Sequence, residues 1–195
     1  MATELKRGLL FTVVSMGLVC AYHAFMWGVG QVAFRSQAEG SLIRRADGTI
    51  VGSRLIAQGF TRPEYFQPRP SAVDYNAAAT GGSNLGPSNP DHLKAVRERL
   101  DGVTKQEGVT PDHVPSEMVT ASGAGLDPHI PPVAAGLQAT RVARARGVPL
   151  GRVRELIASH TKGPALGLLG RGRVNVLELN LALDEAFGKA PAPGR

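Results

Sequence analysis

The chain has 195 residues, with 22 basic against 16 acidic side chains and a net charge of +6. Its 43% hydrophobic content is enough for a core, so wholesale disorder is excluded. One cysteine, Cys20, excludes an internal disulfide framework and any cysteine-cluster zinc or iron–sulfur site. Gly and Pro are abundant, which forecasts many turns and irregular stretches.

Between Arg7 and Arg35 lie 27 residues, Gly8 to Phe34, with no charged side chain. A helix rises about 1.5 Å per residue, so about 20 residues cross the hydrocarbon core. Tyr22, Trp27 and Phe34 lie toward the C-terminal half, where an aromatic belt would sit. Ser15, Gly17, Ala21, Gly28 and Gly30 would let another helix approach closely. The run is too long for a cleaved signal peptide, and no good cleavage site follows it. A lipoprotein signal fails because Val19 precedes Cys20. His23 reads as a satisfied or interface-facing side chain within the span. Lys6 and Arg7 place the N-terminus in the cytoplasm and the remainder outside, although the remainder has its own excess of 20 basic over 15 acidic residues.

The expected organisation is a tail at 1–7, a transmembrane helix at 8–34, an extracytoplasmic α+β domain at 35–188 and a frayed tail at 189–195. Ile43 to Leu55 suggests a hairpin about Asp47-Gly48. Phe60 to Leu85 and on to Pro87, with Pro63, Pro68 and Pro70 and aromatics along it, predicts a long constrained loop that is either a recognition surface or a packed covering of the core. Asn89-Pro90-Asp91 opens a helix to about Leu100. Val119 to Ile130 is a loop of small residues leading into a helix from Pro131 to Arg146, with Gln138 and Arg141 on one face. A further helix from Pro149 buries Val153, Leu156, Ile157 and His160. Leu177, Leu179, Leu181 and Leu183 alternate with other residues, which favours a strand, while Asn175 and Glu178 also suit a helix capping box.

The chemistry of common active sites is missing from the pattern. There is no phosphate-loop motif, and the Gly81–Gly86 run has no lysine. The five histidines show no metal-binding spacing. Ser122, Asp127 and His129 are near in sequence but lack a nucleophile elbow. Arg141 to Ile157, with five arginines and a glycine turn, resembles a helix-turn-helix; placement outside the membrane argues against DNA.

Several motifs in order resemble one family. They are the N-terminal span, Tyr65-Phe66, Arg69-Pro70-Ser71-Ala72, Tyr75-Asn76 and Gly82-Ser83-Asn84-Leu85-Gly86-Pro87. Thr120 to Gly123, Gly125 to Ile130, Gln138, Arg141-Val142-Ala143, Val174 to Leu177 and Leu179-Asn180 complete the set. Together they resemble the C subunit of the high-affinity potassium-transporting P-type ATPase, the Kdp system. Ala124 departs from that pattern, where serine is common, as does Arg171-Gly172, where Glu-Pro is common.

The resemblance implies a non-catalytic, single-pass subunit in the bacterial inner membrane. Its partners would be a channel-like potassium-binding subunit, a P-type subunit that hydrolyses ATP, and a small single-helix subunit; nucleic acid is not among them. It implies a role in assembly and in raising the ATP affinity of the hydrolysing subunit. No cofactor would be held firmly, and ATP would be met only in a transient complex. Gln138 matches the glutamine implicated in nucleotide binding, although the expected topology puts it across the membrane from ATP. The candidate partner contacts are Tyr65, Phe66, Arg69, Pro70, Gly82, Ser83, Asn84, Ser122, Asp127, His129 and Arg141. Two rival readings are a membrane-anchored binding module for an anionic ligand or surface, using the arginine excess, and an anchored hydrolase using Ser122, Asp127 and His129.

Overall fold

The structure, a computed structural model, describes residues 1–45 and 47–189. The chain divides into two compact units, Met1–Ile43 and a second beginning at Arg44. Six residues of the expected frayed tail, 190–195, lie outside the described residues.

The first unit is dominated by helix α1 (Ala2–Ala33), followed by one further turn, α2 (Arg35–Ala38). None of the side chains of α1 is buried. A helix that is apolar all round and unburied fits a lipid solvent, because its backbone groups are satisfied internally. It is the one helix among the described residues long and apolar enough to cross a membrane. Residues expected as a preceding tail are helical, and Arg7 pairs with Glu4 one turn back at 3.2 Å. His23 Nδ1 donates to Val19 O at 2.8 Å, so the ring satisfies itself within its own helix.

Strands β1 (Leu42–Arg44) and β2 (Ile50–Ser53) flank the expected turn, where Arg45 N donates to Thr49 O at 2.9 Å. No helix or strand follows until α3 (Pro90–Glu107). Asn89 caps α3 by accepting from Asp91 N at 2.8 Å. The helix runs about two turns beyond the expected end near Leu100. Gly102 is exposed and does not stop it, and the stop comes at Gly108, which takes φ +69° as its left-handed C-cap.

Strand β3 (His129–Ile130), α4 (Pro132–Arg146), α5 (Leu150–Ser159), β4 (Thr161–Lys162), β5 (Arg173–Asn175) and α6 (Val176–Phe187) complete the domain. The strands form a small antiparallel sheet in the order β3-β5-β4, with Ile130 and Thr161 both opposite Val174. The core joins this sheet to the three helices through Ile130, Ala134, Ala135, Ala139, Val142, Val153, Ile157, Val174, Leu179 and Leu183. The alanines on α4 leave room for its neighbours to pack close to the backbone. On α5, Val153 and Ile157 are buried as expected, while Leu156 and His160 are half-buried.

The leucine run at 177–183 is helical, which corrects the strand reading. Asn175 accepts from Glu178 N at 3.1 Å, so the asparagine N-cap prevails over the alternation. Leu, Ala and Glu are strong helix formers, and the run contains no β-branched residue. Val176, Leu179, Asn180 and Leu183 recur with helical spacing and are all buried. Asn175 also donates to Arg54 O at 2.8 Å. Asn175→Ala should therefore lower stability by about 1–2 kcal/mol, read as a shift in the urea midpoint of the domain transition.

Candidate functional site

The long loop after β2 carries no regular structure, yet the segment 63–67 has its peptide groups satisfied one by one. Pro63 O and Tyr65 O accept from Arg141 Nη1, the latter at 3.0 Å. Glu64 O accepts from Arg146 Nε at 2.8 Å. Phe66 is held at both its groups by Asn180: Phe66 N donates to Oδ1 at 2.8 Å, and Phe66 O accepts from Nδ2 at 2.9 Å. Gln67 is held the same way by Gln138, at 2.8 and 3.1 Å. Five consecutive carbonyls are thus bound by side chains of α4 and α6. Each amide imitates the two-bond partner that a neighbouring strand would supply.

Packing and charge reinforce this clamp. Phe66 is fully buried in the core, as are Gln138 and Asn180 or nearly so. Tyr65 O–H donates to Asp184 at 3.1 Å, and the Arg146 guanidinium lies 4.8 Å from the Tyr65 ring centre. Arg146 pairs with Asp184 at 2.8 Å, and Arg141 with Glu107 at 2.8 Å. All four side chains of these pairs are largely shielded from water. Removing one partner of such a pair costs about 3–5 kcal/mol, because the other charge is left buried. Burial pushes the Glu107 carboxyl above its ordinary range, opposed by its hydrogen bond to Arg141. A cleft of about 400 Å³ opens beside this pair, lined by Pro63, Lys105, Thr140 and Arg144 among others.

A second layer joins the two glycine-containing loops. Ser122 N donates to Pro70 O at 3.0 Å, and Gly81 N donates to Ala124 O at 3.0 Å. Gly125 takes φ +68°, and a Cβ there would stand 2.9 Å from Gly81 O, so both conformation and space require glycine. Asp74 and Tyr75 both adopt φ near +50°, at 50° and 56°, which costs about 1 kcal/mol or more each. Ser71 Oγ offsets this by accepting from Val73 N and Tyr75 N, while Tyr75 O–H donates to Arg69 O at 2.9 Å. Arg69 lies 3.6 Å from Asp127, and Asp127 accepts from His129 N at 3.0 Å. Hydrogen bonding from the His129 side chain holds the Asp127 carboxyl below its ordinary range, with burial opposing and Arg69 assisting.

The family model described as KdpC, K+-transporting ATPase, c chain, matches residues 5–185. The chain belongs to the KdpC family. Among its relatives, the potassium-transporting ATPase KdpC subunit of Polaromonas naphthalenivorans is 53% identical over 188 residues, covering 95% of each chain. That of Geobacter sulfurreducens is 50% identical, covering 93% of this chain and 97% of the relative. That of Sorangium cellulosum is 50% identical, covering 95% and 100%.

Membership in the KdpC family accounts for the motifs, and the fold shows where they lie. Tyr65, Phe66, Gln138 and Arg141 meet in the clamp. Arg69, Pro70, Ser122, Asp127 and His129 meet in the second layer, and Gly82 lies against Gly123, where an added Cβ would be 3.0 Å from Gly123 O. Phe66 and Ser122 are buried, whereas Ser83 and Asn84 are exposed. Ala124 contributes its carbonyl, which any residue supplies. Arg171 lies 3.9 Å from Glu117. The basic helix hairpin of the helix-turn-helix reading does form from α4 and α5, but the side chains of Arg141 and Arg146 are turned into the domain and are not on offer to phosphates.

Sequence reasoning missed Arg146, Asn180, Asp184 and Glu107. Asn180 had a signal: on a helix it falls on the apolar face with Leu179 and Leu183, and a polar residue there needs a partner. The strand reading hid it. Glu107 had no local signal, since its partner is 34 residues away.

Two outcomes follow for the full chain. Gln138→Ala should speed amide exchange at Gln67, and Asn180→Ala at Phe66, each costing about 1–3 kcal/mol as buried peptide groups lose their partners. Asp127 has a depressed folded pKa, so its contribution is present above the ordinary carboxylate range and disappears as pH falls through the folded value. The urea-midpoint difference between wild type and Asp127→Asn should therefore be present at pH 7 and shrink as the pH falls from the ordinary carboxylate range through the lower folded value.

Proposed function

We propose that this chain works as the non-catalytic accessory subunit of an ATP-driven potassium importer, stabilising its assembly and raising the ATP affinity of the hydrolysing subunit. The observation that carries this reading is the family match across residues 5–185, supported by relatives that bear the name potassium-transporting ATPase KdpC subunit. A single apolar helix ties the chain to the inner membrane. Lys6 and Arg7 orient it with the N-terminus in the cytoplasm and the domain on the opposite face.

The partners in this reading are a channel-like potassium-binding subunit, a P-type ATP-hydrolysing subunit and a small single-helix subunit. The domain contributes shape rather than chemistry. Arg141, Arg146, Glu107 and Asp184 are spent in the clamp, where they hold backbone and one another. Ser83 and Asn84, exposed on the long loop, and the half-exposed Asp127 and His129 are the candidate contacts that stay accessible.

Gln138 acts in this reading as a positioning residue. Both ends of its amide are taken up by Gln67, and its oxygen also accepts from Arg141 at 2.9 Å. Its influence on nucleotide would run through the placement of segment 63–67 and the partner surfaces beyond, as a coupling free energy between distant sites. ATP is then met only within the complex with the hydrolysing subunit.

The test is co-purification of the tagged full chain with the other subunits, followed by ATPase assays at varied ATP. Omitting this chain should reduce recovery of the intact complex and raise the ATP concentration needed for half-maximal turnover. Removal of residues 1–35 should abolish recovery. Full assembly without those residues would show that the helix is dispensable, and a reporter fused after Arg195 that is active only in the cytoplasm would reverse the orientation.

A further inference from the structure

Glu107 is the last residue of α3, and its side chain is only 2% exposed. Three features of its position disfavour a negative charge. The carboxylate is removed from water. It stands at the helix end where unpaired carbonyls already concentrate negative potential. Its Oε2 is buried with no hydrogen-bond partner among the described residues. Against these stands one bond, from Arg141 Nε to Oε1 at 2.8 Å.

Arg141 depends on the same bond from the other side. Its side chain is 8% exposed, and its remaining acceptors, Pro63 O, Tyr65 O and Gln138 Oε1, are all neutral. The neighbouring carboxylates have cations of their own. Glu64, on the segment itself, pairs with Arg62 at 3.3 Å, and Asp184 pairs with Arg146. Two short turns also pack against α3. In Pro111–His113, Asp112 lies 3.2 Å from His113; in Ser116–Met118, Glu117 lies 3.9 Å from Arg171. The other charges beside the pair are Lys105 and Arg144, exposed cations on the wall of the cleft of about 400 Å³.

We propose that the Glu107–Arg141 pair is a proton-operated latch on the segment 63–67. With Glu107 ionised, Arg141 is held over the carbonyls of Pro63 and Tyr65. When Glu107 takes a proton, Arg141 becomes a buried cation facing neutral acceptors, and the adjoining cleft gives its guanidinium a way to water. Its turn into the cleft releases the Pro63–Tyr65 end, while Asn180 and Gln138 keep Phe66 and Gln67 in place. The sign of the linkage permits this without unfolding. Burial lifts the Glu107 carboxyl above its ordinary range, so the folded domain takes up the proton more readily than the unfolded chain. The stability this contributes is fully present below the ordinary carboxylate range and lost as pH rises through the folded value. Glu64 titrates later on acidification, because its hydrogen bond with Arg62 holds it below that range. In the proposed orientation the latch faces the medium and reads external acidity, but its action within the domain does not rest on that orientation.

The experiment follows the full chain in nanodiscs by NMR from about pH 7.5 to about pH 4.5, where an ordinary glutamate is half protonated. The carboxyl carbon of Glu107 should titrate above the ordinary glutamate value. Over the same interval, hydrogen exchange at Arg141 Nε and at the Tyr65 amide, which donates to Arg62 O at 3.2 Å, should quicken about tenfold after correction for intrinsic rates. The Phe66 and Gln67 amides should stay protected. Glu107→Gln, neutral throughout, should show the faster exchange at both ends of the range. A Glu107 carboxyl that titrates at or below the ordinary value overturns the proposal, and this reading needs no variant. So does a Glu107 titration that leaves Arg141 and Tyr65 unchanged. Loss of protection at Phe66 and Gln67 in step with Tyr65 overturns it in favour of general acid unfolding. Persistence of the pH response in Glu107→Gln overturns it in favour of another group.

Discussion

The domain depends on one constraint: a loop segment with no strand beside it has been brought into the core. A buried peptide group without a partner is expensive, and segment 63–67 exposes a row of them to the helices it covers. Two arginines and two amides answer that demand. Gln138 and Asn180 each hold one residue through paired donor and acceptor bonds, while Arg141 and Arg146 gather the carbonyls that remain. Phe66 then fills the interior, and the rest of the loop is placed by its anchorage there.

The clamp is also an electrostatic arrangement. Each arginine that binds the loop carries its own carboxylate, Glu107 from the end of α3 and Asp184 from α6. Buried pairs of this kind are poor sources of net stability compared with apolar packing, but they penalise every alternative in which one partner is missing. Three helices and the loop are thereby held in one register. This accounts for a domain rich in charged and polar motif residues that nonetheless shows a structural rather than a reactive constellation. Gln138 illustrates the point, for a residue implicated in ligand binding by resemblance has its amide fully committed to a neighbouring backbone.

The membrane helix and the domain obey different solvents. In α1, apolar side chains face outward on every side and internal hydrogen bonding satisfies the backbone. In the domain, a narrow apolar stripe on each helix faces inward, and the unpaired loop backbone must borrow partners from side chains. The leucine tip between β4 and β5 follows neither rule. It is apolar, exposed and backed by a closed turn.

The amino-acid sequence by itself determined the features set by local chemistry. An uncharged run of sufficient length makes a spanning helix, Asn89 and Pro90 start α3, Gly147 ends α4 in a left-handed turn, and proline spacing forbids regular structure across the long loop. The motif order was also enough to indicate the family. What only the tertiary structure decided were the pairings between distant residues. The alternating leucines at 177–183 satisfy both periods on paper; burial of Val176, Leu179, Asn180 and Leu183 together on one helical face settles the matter. Asn180 and Phe66 are 114 residues apart, and Gln138 and Gln67 are 71 apart. Pairings across such separations leave no local pattern, because they are selected by which backbone groups the fold buries and which side chains are within reach to satisfy them.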